Sequence, residues 1–308
     1  MSAKDYNLLV VLGATATGKT RLGAQLALAL KGEVLSADSR QVYQGLDIGA
    51  GKDLQEYCVD GAEVPYHLID LAPLRSEYSV FQFQKDFFRC FAEVQGRRCL
   101  PVLVGGTGLY LEAVMNGYRM AEVPENRELR AEMSGLDMAA LQRMHAALRP
   151  EQHNTTDSIE RARLERAIEI AEYTQKHEPV PTPEVRAFIL GVQWPREVLR
   201  ERIAVRLRER MDAGLIEEVK ALHQGGVPWA RLELLGLEYR CVSEYLQGHI
   251  RSRNDLFQKL HAAICKFAKR QETWFRRMEK NRAEIHWVDR ADYESALRLV
   301  RDATWTQH

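Results

Sequence analysis

Four short apolar runs along the chain have the length and composition of buried β-strands. They are residues 7–12, 33–36, 101–104 and 186–194. Between them lie segments in which apolar residues recur at helical spacing, such as 19–31 and 79–95. Strands that alternate with helices are typical of a mostly parallel sheet covered by helices. The pattern therefore predicts an α/β core.

The pattern changes between about residues 117 and 183, where the sequence is charge-rich, helical and without a convincing strand. We interpret residues 117–183 as a helical insertion, so that the core comprises residues 1–116 and 184–308. Beyond the last strand, apolar residues at helical spacing predict a long amphipathic helix that breaks or bends near Gly214. Those positions are Leu199, Ile203, Leu207, Met211, Leu215 and Val219.

The composition is that of a folded protein without bulk affinity for nucleic acid. The chain has 308 residues, of which 45% are hydrophobic and 28% charged, enough for a sizeable core. It carries 43 basic and 43 acidic residues, so binding to nucleic acid requires a local patch. One such patch is "KFAKRQETWFRRMEKNR" at 266–282, in which aromatic residues interleave with Lys and Arg. This mixture suits phosphate contacts and base stacking, although a solvated helix face would read the same way.

No apolar stretch approaches the roughly 18 residues that span a bilayer, and "MSAKDYN" lacks the apolar core of a signal peptide. We therefore expect a cytoplasmic protein without a membrane segment. The five cysteines form no CxxC pair, which argues against a disulfide framework and a zinc ribbon. They are Cys58, Cys90, Cys99, Cys241 and Cys265, and we expect them to be reduced.

The first strand leads into "GATATGKT", the spacing of a phosphate-binding P-loop. Its residues are Gly13, Ala14, Thr15, Ala16, Thr17, Gly18, Lys19 and Thr20. Backbone N–H groups and the following helix N-terminus present positive potential to a phosphate, and Lys19 adds a point charge. The Thr20 hydroxyl is a candidate Mg²⁺ ligand. The alternative, a glycine-rich turn with a surface lysine, does not account for the strand before the loop and the helix after it. The expected ligand is a pyrophosphate or polyphosphate.

Together with the P-loop, three further stretches resemble the tRNA dimethylallyltransferase family, in the same order and over nearly the whole chain. They are "SADSRQVYQGLDIG" (36–49), "VLVGGTGLYLEAVMNG" (102–117) and "FAKRQETWF" (267–275). The resemblance implies a P-loop core like that of nucleotide kinases, with a helical insertion that grips an anticodon stem. It also implies transfer of a dimethylallyl group from dimethylallyl diphosphate to N6 of an adenosine next to the anticodon, with Mg²⁺ bound and diphosphate released. The implied partners are tRNA and dimethylallyl diphosphate, and we expect a monomer.

The resemblance also implies roles for single residues. Asp38 corresponds to the general base at N6, Thr107 to a diphosphate contact, and Arg202 to the arginine that faces the diphosphate, with Arg206 one turn on. Other interpretations stay open. Asp38 could bind Mg²⁺ through water or cap a helix, Thr107 could lie in a plain turn, and Arg202 could be solvated.

On the acceptor side, Ser39 and Gln41 resemble positions that read the flipped base, or they are exposed loop residues. Within the basic segment, the candidate RNA contacts are Lys269, Arg270, Arg276 and Arg277.

The chain departs from the family pattern in segments that the resemblance assigns to the substrate-side opening. "DIGAGKD" has Ala50 and Asp53 where the family has threonine and proline, and Glu238 replaces a glycine before Tyr-Arg. Residues 265–267 are also unusual. The motifs that bind the diphosphate are intact. The sequence therefore supports the prenyl-transfer reaction better than it supports tRNA as the acceptor. Three alternatives remain: an isopentenyltransferase acting on a free adenine nucleotide, a P-loop small-molecule kinase, and a non-catalytic RNA-binding protein.

Overall fold

A computed structural model describes residues 5–118, 123–148, 161–177 and 182–305. The chain divides into two compact units. One comprises Met1–Gly117 and Glu184–His308, and the other comprises Tyr118–Pro183.

The first unit is built on a six-stranded parallel sheet with the strand order β5-β2-β6-β1-β7-β8. A separate two-stranded antiparallel ribbon pairs β3 with β4. The strands are β1 Leu8–Gly13, β2 Gly32–Ala37, β3 Cys58–Val59, β4 Ala62–Glu63, β5 Tyr66–His67, β6 Leu100–Gly105, β7 Ala187–Gln193 and β8 Ile285–Asp289. The four strands expected from the apolar runs are thus confirmed as β1, β2, β6 and β7.

Twelve helices lie in the described part of the chain, and α4, α5 and α6 belong to the second unit. They are α1 Lys19–Ala29, α2 Val80–Gly96, α3 Gly108–Met115, α4 Arg127–Ser134, α5 Met138–Leu148, α6 Arg161–Lys176, α7 Arg196–Asp212, α8 Leu215–Gln224, α9 Trp229–Leu234, α10 Leu237–Leu246, α11 Arg253–Lys280 and α12 Tyr293–Arg301. A short 3-10 helix covers Leu54–Tyr57. None of the helices in these described ranges is long and apolar enough to cross a membrane.

Strand β1 is buried along its whole length because helices cover both faces of the sheet. Leu9 and Val11 belong to a core that includes Leu22 and Leu26 of α1. Leu8, Val10 and Leu12 belong to the opposite core, with phenylalanines of α2. A central parallel strand buried on both faces reads as a continuous apolar run, which explains why the sequence pattern identified it.

The expected break in the long amphipathic helix lies at Gly214, which has φ +105° and separates α7 from α8. The six apolar positions expected to form the buried face of this helix are all buried. A left-handed backbone suits glycine because it has no Cβ to clash with the carbonyl oxygen. The second unit is helical in its described residues and has its own small core. The five cysteines are free thiols in the structure.

Candidate active site

The P-loop, Asp38 and Thr107 follow three neighbouring strands of the sheet. The P-loop follows β1, Thr107 comes two residues after β6, and Asp38 comes directly after β2. These strands are adjacent and parallel, with Leu12 beside Gly105 and Gly105 beside Ala37. Ligands of open α/β sheets bind outside the carboxyl ends of the strands. The three motifs therefore meet at the edge where a ligand is expected.

The P-loop closes on itself before it enters α1. Ala16 and Gly18 have φ values of +64° and +87°, so the backbone turns twice through the left-handed region. For Ala16 this conformation costs about 1–2 kcal/mol. The Thr17 hydroxyl donates to the carbonyl oxygen of Ala14 at 2.8 Å, which fixes the turn. The first turn of α1 carries no acidic residue, so the positive end of the helix is open to an anion.

Two cationic side chains, Lys19 and Arg206, contact the P-loop. The Nζ of Lys19 donates to the Ala14 oxygen at 3.3 Å, and a guanidinium N–H of Arg206 donates to the Thr15 hydroxyl. Burial, followed by repulsion from Arg206, lowers the pKa of Lys19 to about 8. Burial, followed by repulsion from Arg210, lowers the pKa of Arg206 to about 10. Within the described ranges neither Lys19 nor Arg206 forms an ion pair, so their positive charge lacks a paired carboxylate.

Arg202 contacts the same loop from another direction. Its Nε donates to the Ala16 oxygen at 2.9 Å, and its guanidinium lies 4.2 Å from the ring centre of Trp194. Trp194 in turn donates to the Thr17 oxygen at 2.9 Å. Arg202 therefore holds the Ala16 carbonyl of the P-loop, and its contact with the diphosphate stays a prediction. Arg206 is the arginine whose charge acts most strongly on Lys19.

Asp38 and Thr107 are held by backbone donors of the same turn. Oδ1 of Asp38 accepts the N–H groups of Arg40 at 2.8 Å and Gln41 at 3.4 Å. Oδ2 accepts no hydrogen bond from any residue that the structure describes. The Thr107 hydroxyl accepts the N–H of Ser39 at 3.2 Å and caps no helix N–H, so its proton is available to a ligand. One carboxylate oxygen and one hydroxyl proton thus have no partner among the described residues near the P-loop.

Gln41 is buried, and its amide is used inside the protein. Its Oε1 accepts from the Ser36 hydroxyl at 2.8 Å, and its Nε2 donates to the Gly51 oxygen at 2.9 Å. An amide has two N–H groups, so one remains for a base contact. The base-reading role of Gln41 stays a prediction, and its two hydrogen bonds connect Gly51 to Ser36 of β2.

The loop formed by residues 47–53 is also clamped by two side chains that the sequence pattern did not reveal. The carboxylate of Glu218 accepts the backbone N–H groups of three consecutive residues, 47–49, at distances of 2.7 to 3.1 Å. The Tyr239 hydroxyl donates to Glu218 at 2.7 Å and accepts the N–H of Ala50 at 3.1 Å. The loop beside Asp38 is therefore fixed through its backbone.

Two of the departures from the family pattern, Asp53 and Glu238, lie near Arg210. Its Nη2 lies 3.2 Å from Oδ2 of Asp53, and the guanidinium packs against the backbone of Gly51. Burial raises the pKa of Glu238, and its charge acts on Arg206 and Arg210. Asp53 and Glu238 thus place two carboxylates beside Arg206 and Arg210, at positions where the family pattern has proline and glycine.

The four basic residues proposed to contact RNA are all exposed on α11, but they differ in their contacts. Arg270 lies over Phe267 with 5.7 Å between the guanidinium carbon and the ring centre. Arg277 stacks on Trp274 at 4.0 Å and pairs with the buried Glu112 at 3.0 Å. Lys269, Arg270 and Arg276 therefore remain the cleaner candidates for phosphate contacts.

The described ranges contain no group of three or more His, Cys, Asp or Glu side chains that could hold a metal ion. The oxygen donors near the P-loop include the half-buried Thr20 hydroxyl and the carboxylates of Asp38 and Glu56, both of which act on the charge of Lys19. Mg²⁺ commonly binds through few protein ligands, with substrate phosphates and water completing its shell. These residues fit that kind of magnesium site.

Comparison with known proteins identifies the family. The family model described as IPP transferase matches residues 41–278, and the model described as Isopentenyl transferase matches residues 6–63. tRNA dimethylallyltransferase 2 of Syntrophotalea carbinolica is 57% identical over 287 residues, which cover 92% of this chain and 95% of that protein. tRNA dimethylallyltransferase 1 of Geotalea uraniireducens is 54% identical over 283 residues, covering 92% of each.

The fold agrees with this similarity. The crystal structure of the full-length tRNA isopentenylpyrophosphate transferase from Bacillus halodurans superimposes with a TM-score of 0.70 at 31% identity, over 97% of this chain and 95% of that chain. The family-model match spans more than half of the chain, and the relatives align over almost all of it. The chain belongs to the IPP transferase family.

Proposed function

We propose that this protein transfers the dimethylallyl group of dimethylallyl diphosphate to N6 of an adenosine next to the anticodon of tRNA, releasing diphosphate. The observation that carries the proposal is the unpaired cation pair Lys19 and Arg206 beside the free oxygen of Asp38 and the free hydroxyl proton of Thr107. This arrangement suits a reaction in which a diphosphate leaves and an amine loses a proton. The names of the close relatives support the same activity.

On the donor side, the P-loop amides and Lys19 bind the diphosphate, with Arg206 and Thr107 contributing further hydrogen bonds. When the bond between C1 of the prenyl group and oxygen breaks, negative charge grows on the diphosphate. Cations and backbone dipoles already fixed in place stabilise that charge. The Thr20 hydroxyl would hold a bound Mg²⁺, which would neutralise further charge on the diphosphate. Arg202 acts indirectly, because it donates to the Ala16 carbonyl and so fixes the P-loop.

On the acceptor side, the N6 amine of adenosine attacks C1 and forms the new C–N bond. Asp38 accepts the proton that N6 loses, through the Oδ2 oxygen that has no partner among the described residues. The two N–H donors at Oδ1 keep the carboxylate oriented. The adenosine must leave its base stack to reach this point, and Ser39 and Gln41 are positioned on the turn that would contact it.

For tRNA we propose two contact regions, the exposed basic face of α11 and the helical unit formed by residues 118–183. An enzyme acting on a free adenine nucleotide needs neither, and this disfavours that alternative. The monomeric state and the cytoplasmic location expected from the sequence stay predictions. Turnover by the purified protein, with tRNA and AMP offered in parallel, tests the proposal. Activity on AMP with tRNA ignored would replace the acceptor and leave the prenyl-transfer chemistry standing.

Removing the charges of Lys269, Arg270 and Arg276 with alanine is expected to weaken tRNA binding strongly. For each phosphate that the variant no longer neutralises, the slope of log affinity against log salt should become shallower by roughly 0.7–0.9. Binding of dimethylallyl diphosphate should change little. Titrations of labelled tRNA at several salt concentrations measure both the affinity and the slope. Arg277→Ala, made separately, isolates the effect of breaking the ion pair with Glu112.

The matched control removes three exposed cations elsewhere, Lys31, Arg298 and Arg301. It has the same change in net charge and should leave the salt dependence close to that of wild type. An equal loss of tRNA affinity in both triple variants would contradict a specific contact of α11 with RNA.

Donor affinity is expected to fall as the pH rises above about 8. Lys19 binds the diphosphate in its charged form, and burial places the pKa of the free protein's Lys19 at about 8, below the ordinary value of 10.5. Below this pH the lysine is already charged. Above it, binding must take up a proton, so affinity should drop by about tenfold per pH unit. Calorimetric titration with dimethylallyl diphosphate and Mg²⁺ between pH 7 and 9 measures the effect. The Lys19→Ala variant should bind weakly with a flatter pH profile, and an unchanged wild-type affinity would contradict the role of Lys19.

A further inference from the structure

Gln271 is buried on α11 and forms two hydrogen bonds that span the chain. Its Oε1 accepts the backbone N–H of Thr15 at 2.9 Å, and its Nε2 donates to the carbonyl oxygen of Gly106 at 2.8 Å. One acceptor and one donor are thus used, which fixes the orientation of the amide. A single side chain therefore joins the P-loop to the turn that precedes Thr107.

The turn after β6 packs closely against α11 at this bridge. A Cβ atom on Gly106 would overlap Nε2 of Gln271, and one on Gly108 would overlap the ring of Trp274. The backbone of the turn thus lies directly against α11. Glycine permits this approach because it lacks a side chain.

Thr15 is held from two sides. Gln271 occupies its N–H, and Arg206 donates to its hydroxyl. The N–H of Thr15 is therefore already used by the protein, and the later amides of the loop are the ones open to a phosphate. The position of those amides relative to Thr107 depends on the Gln271 bridge.

We infer that Gln271 is a positioning residue for prenyl transfer, because it sets the distance between the two elements that hold the diphosphate, the P-loop and the Thr107 turn. The inference rests on the proposed function. Gln271 touches neither reacting atom, so its loss should act through the geometry of Lys19 and Thr107. A displacement of about 1 Å can cost about 10²-fold in rate.

The test uses two substitutions of similar size. Gln271→Met removes both hydrogen bonds, and Gln271→Glu keeps an acceptor for Thr15 but places a carboxylate oxygen against the Gly106 carbonyl. We expect both to lower the single-turnover rate at saturating substrates by about 10²-fold while tRNA affinity stays within about threefold of wild type. The affinity for inorganic pyrophosphate with Mg²⁺ should also fall, and most for Gln271→Glu.

The pH dependence adds a readout that general destabilisation does not produce. A protonated carboxyl has one donor and one acceptor, like the amide. The rate of Gln271→Glu relative to wild type should therefore rise as the pH falls, whereas the relative rate of Gln271→Met should stay constant.

Gln84 provides the control, since it is also buried and its amide donates to a helical carbonyl, that of Ala113, at 2.7 Å. Gln84→Met should lower the melting temperature without the loss of rate. The inference is overturned if Gln271→Met stays within a few-fold of the wild-type rate, or if Gln84→Met loses as much activity. Failure of the wild-type protein to modify tRNA would instead contradict the proposed function. The pyrophosphate titration would still test whether Gln271 positions the elements that bind the diphosphate.

Discussion

Lys19→Ala is expected to reduce the rate of prenyl transfer at saturating substrates by about 10²–10³-fold, with the fold intact. The lysine supplies charge where the leaving diphosphate becomes more negative, and removing one fixed electrostatic contact of this kind typically costs about 10²–10³-fold. Here the loss also weakens ground-state binding. Single-turnover kinetics with saturating tRNA, donor and Mg²⁺ measure the chemical step.

The stability of this variant is equally informative. Burial and repulsion from Arg206 depress the pKa of Lys19, so its charged form is not a source of folding stability. The melting temperature should therefore hold or rise. Lys31→Ala, at an exposed position just beyond α1, should have wild-type activity. Normal turnover by Lys19→Ala would overturn the assignment of the P-loop to the diphosphate.

Asp38→Asn is expected to slow the chemical step by about 10²–10⁴-fold, the usual contribution of a positioned general base. The asparagine oxygen can still accept from Arg40 and Gln41, so the turn should keep its structure. Binding of tRNA and of dimethylallyl diphosphate should remain close to wild type. Single-turnover rates measured beside the two binding constants separate these effects.

The same variant distinguishes the two roles considered for Asp38. If the carboxylate held Mg²⁺ through water, a large excess of Mg²⁺ would restore much of the rate. If it accepts the N6 proton, excess metal has no effect. A rate within a few-fold of wild type would rule out both roles. Asp60→Asn, at an exposed turn, serves as the control for loss of a carboxylate.

The central strands could be predicted from the sequence because each one is recognised from its own apolar residues alone. Strands β1, β2, β6 and β7 are buried on both faces over most of their length, so each reads as an apolar run without reference to the rest of the chain. Strand β8 at the sheet edge is only partly buried and contains His and Trp, and β5 has two residues. Neither leaves a periodic signal, so the sequence pattern predicted neither.

The candidate site also contains residues that the sequence identified and residues that it did not. The P-loop is contiguous, so its spacing alone identified it. Asp38 and Thr107 were assigned through the family resemblance, and each follows a strand that the apolar pattern predicted. Gln271 contacts residues 256 and 165 positions away, and Glu218 bonds to a loop about 170 positions away. Contacts of this range depend on the folded packing of α11, α8 and α10. No pattern within a single segment encodes them.

The packing of Arg210 on Gly51 limits how this sequence can evolve. A Cβ atom at position 51 would overlap the guanidinium, and the glycine has φ +63°, where other residues are strained. A side chain at 51 therefore requires the Arg210 guanidinium to turn away, and this movement separates it from Asp53. It also removes a positive charge that lowers the pKa of Glu238. Substitutions at 51, 53, 210 and 238 are therefore expected to depend on one another.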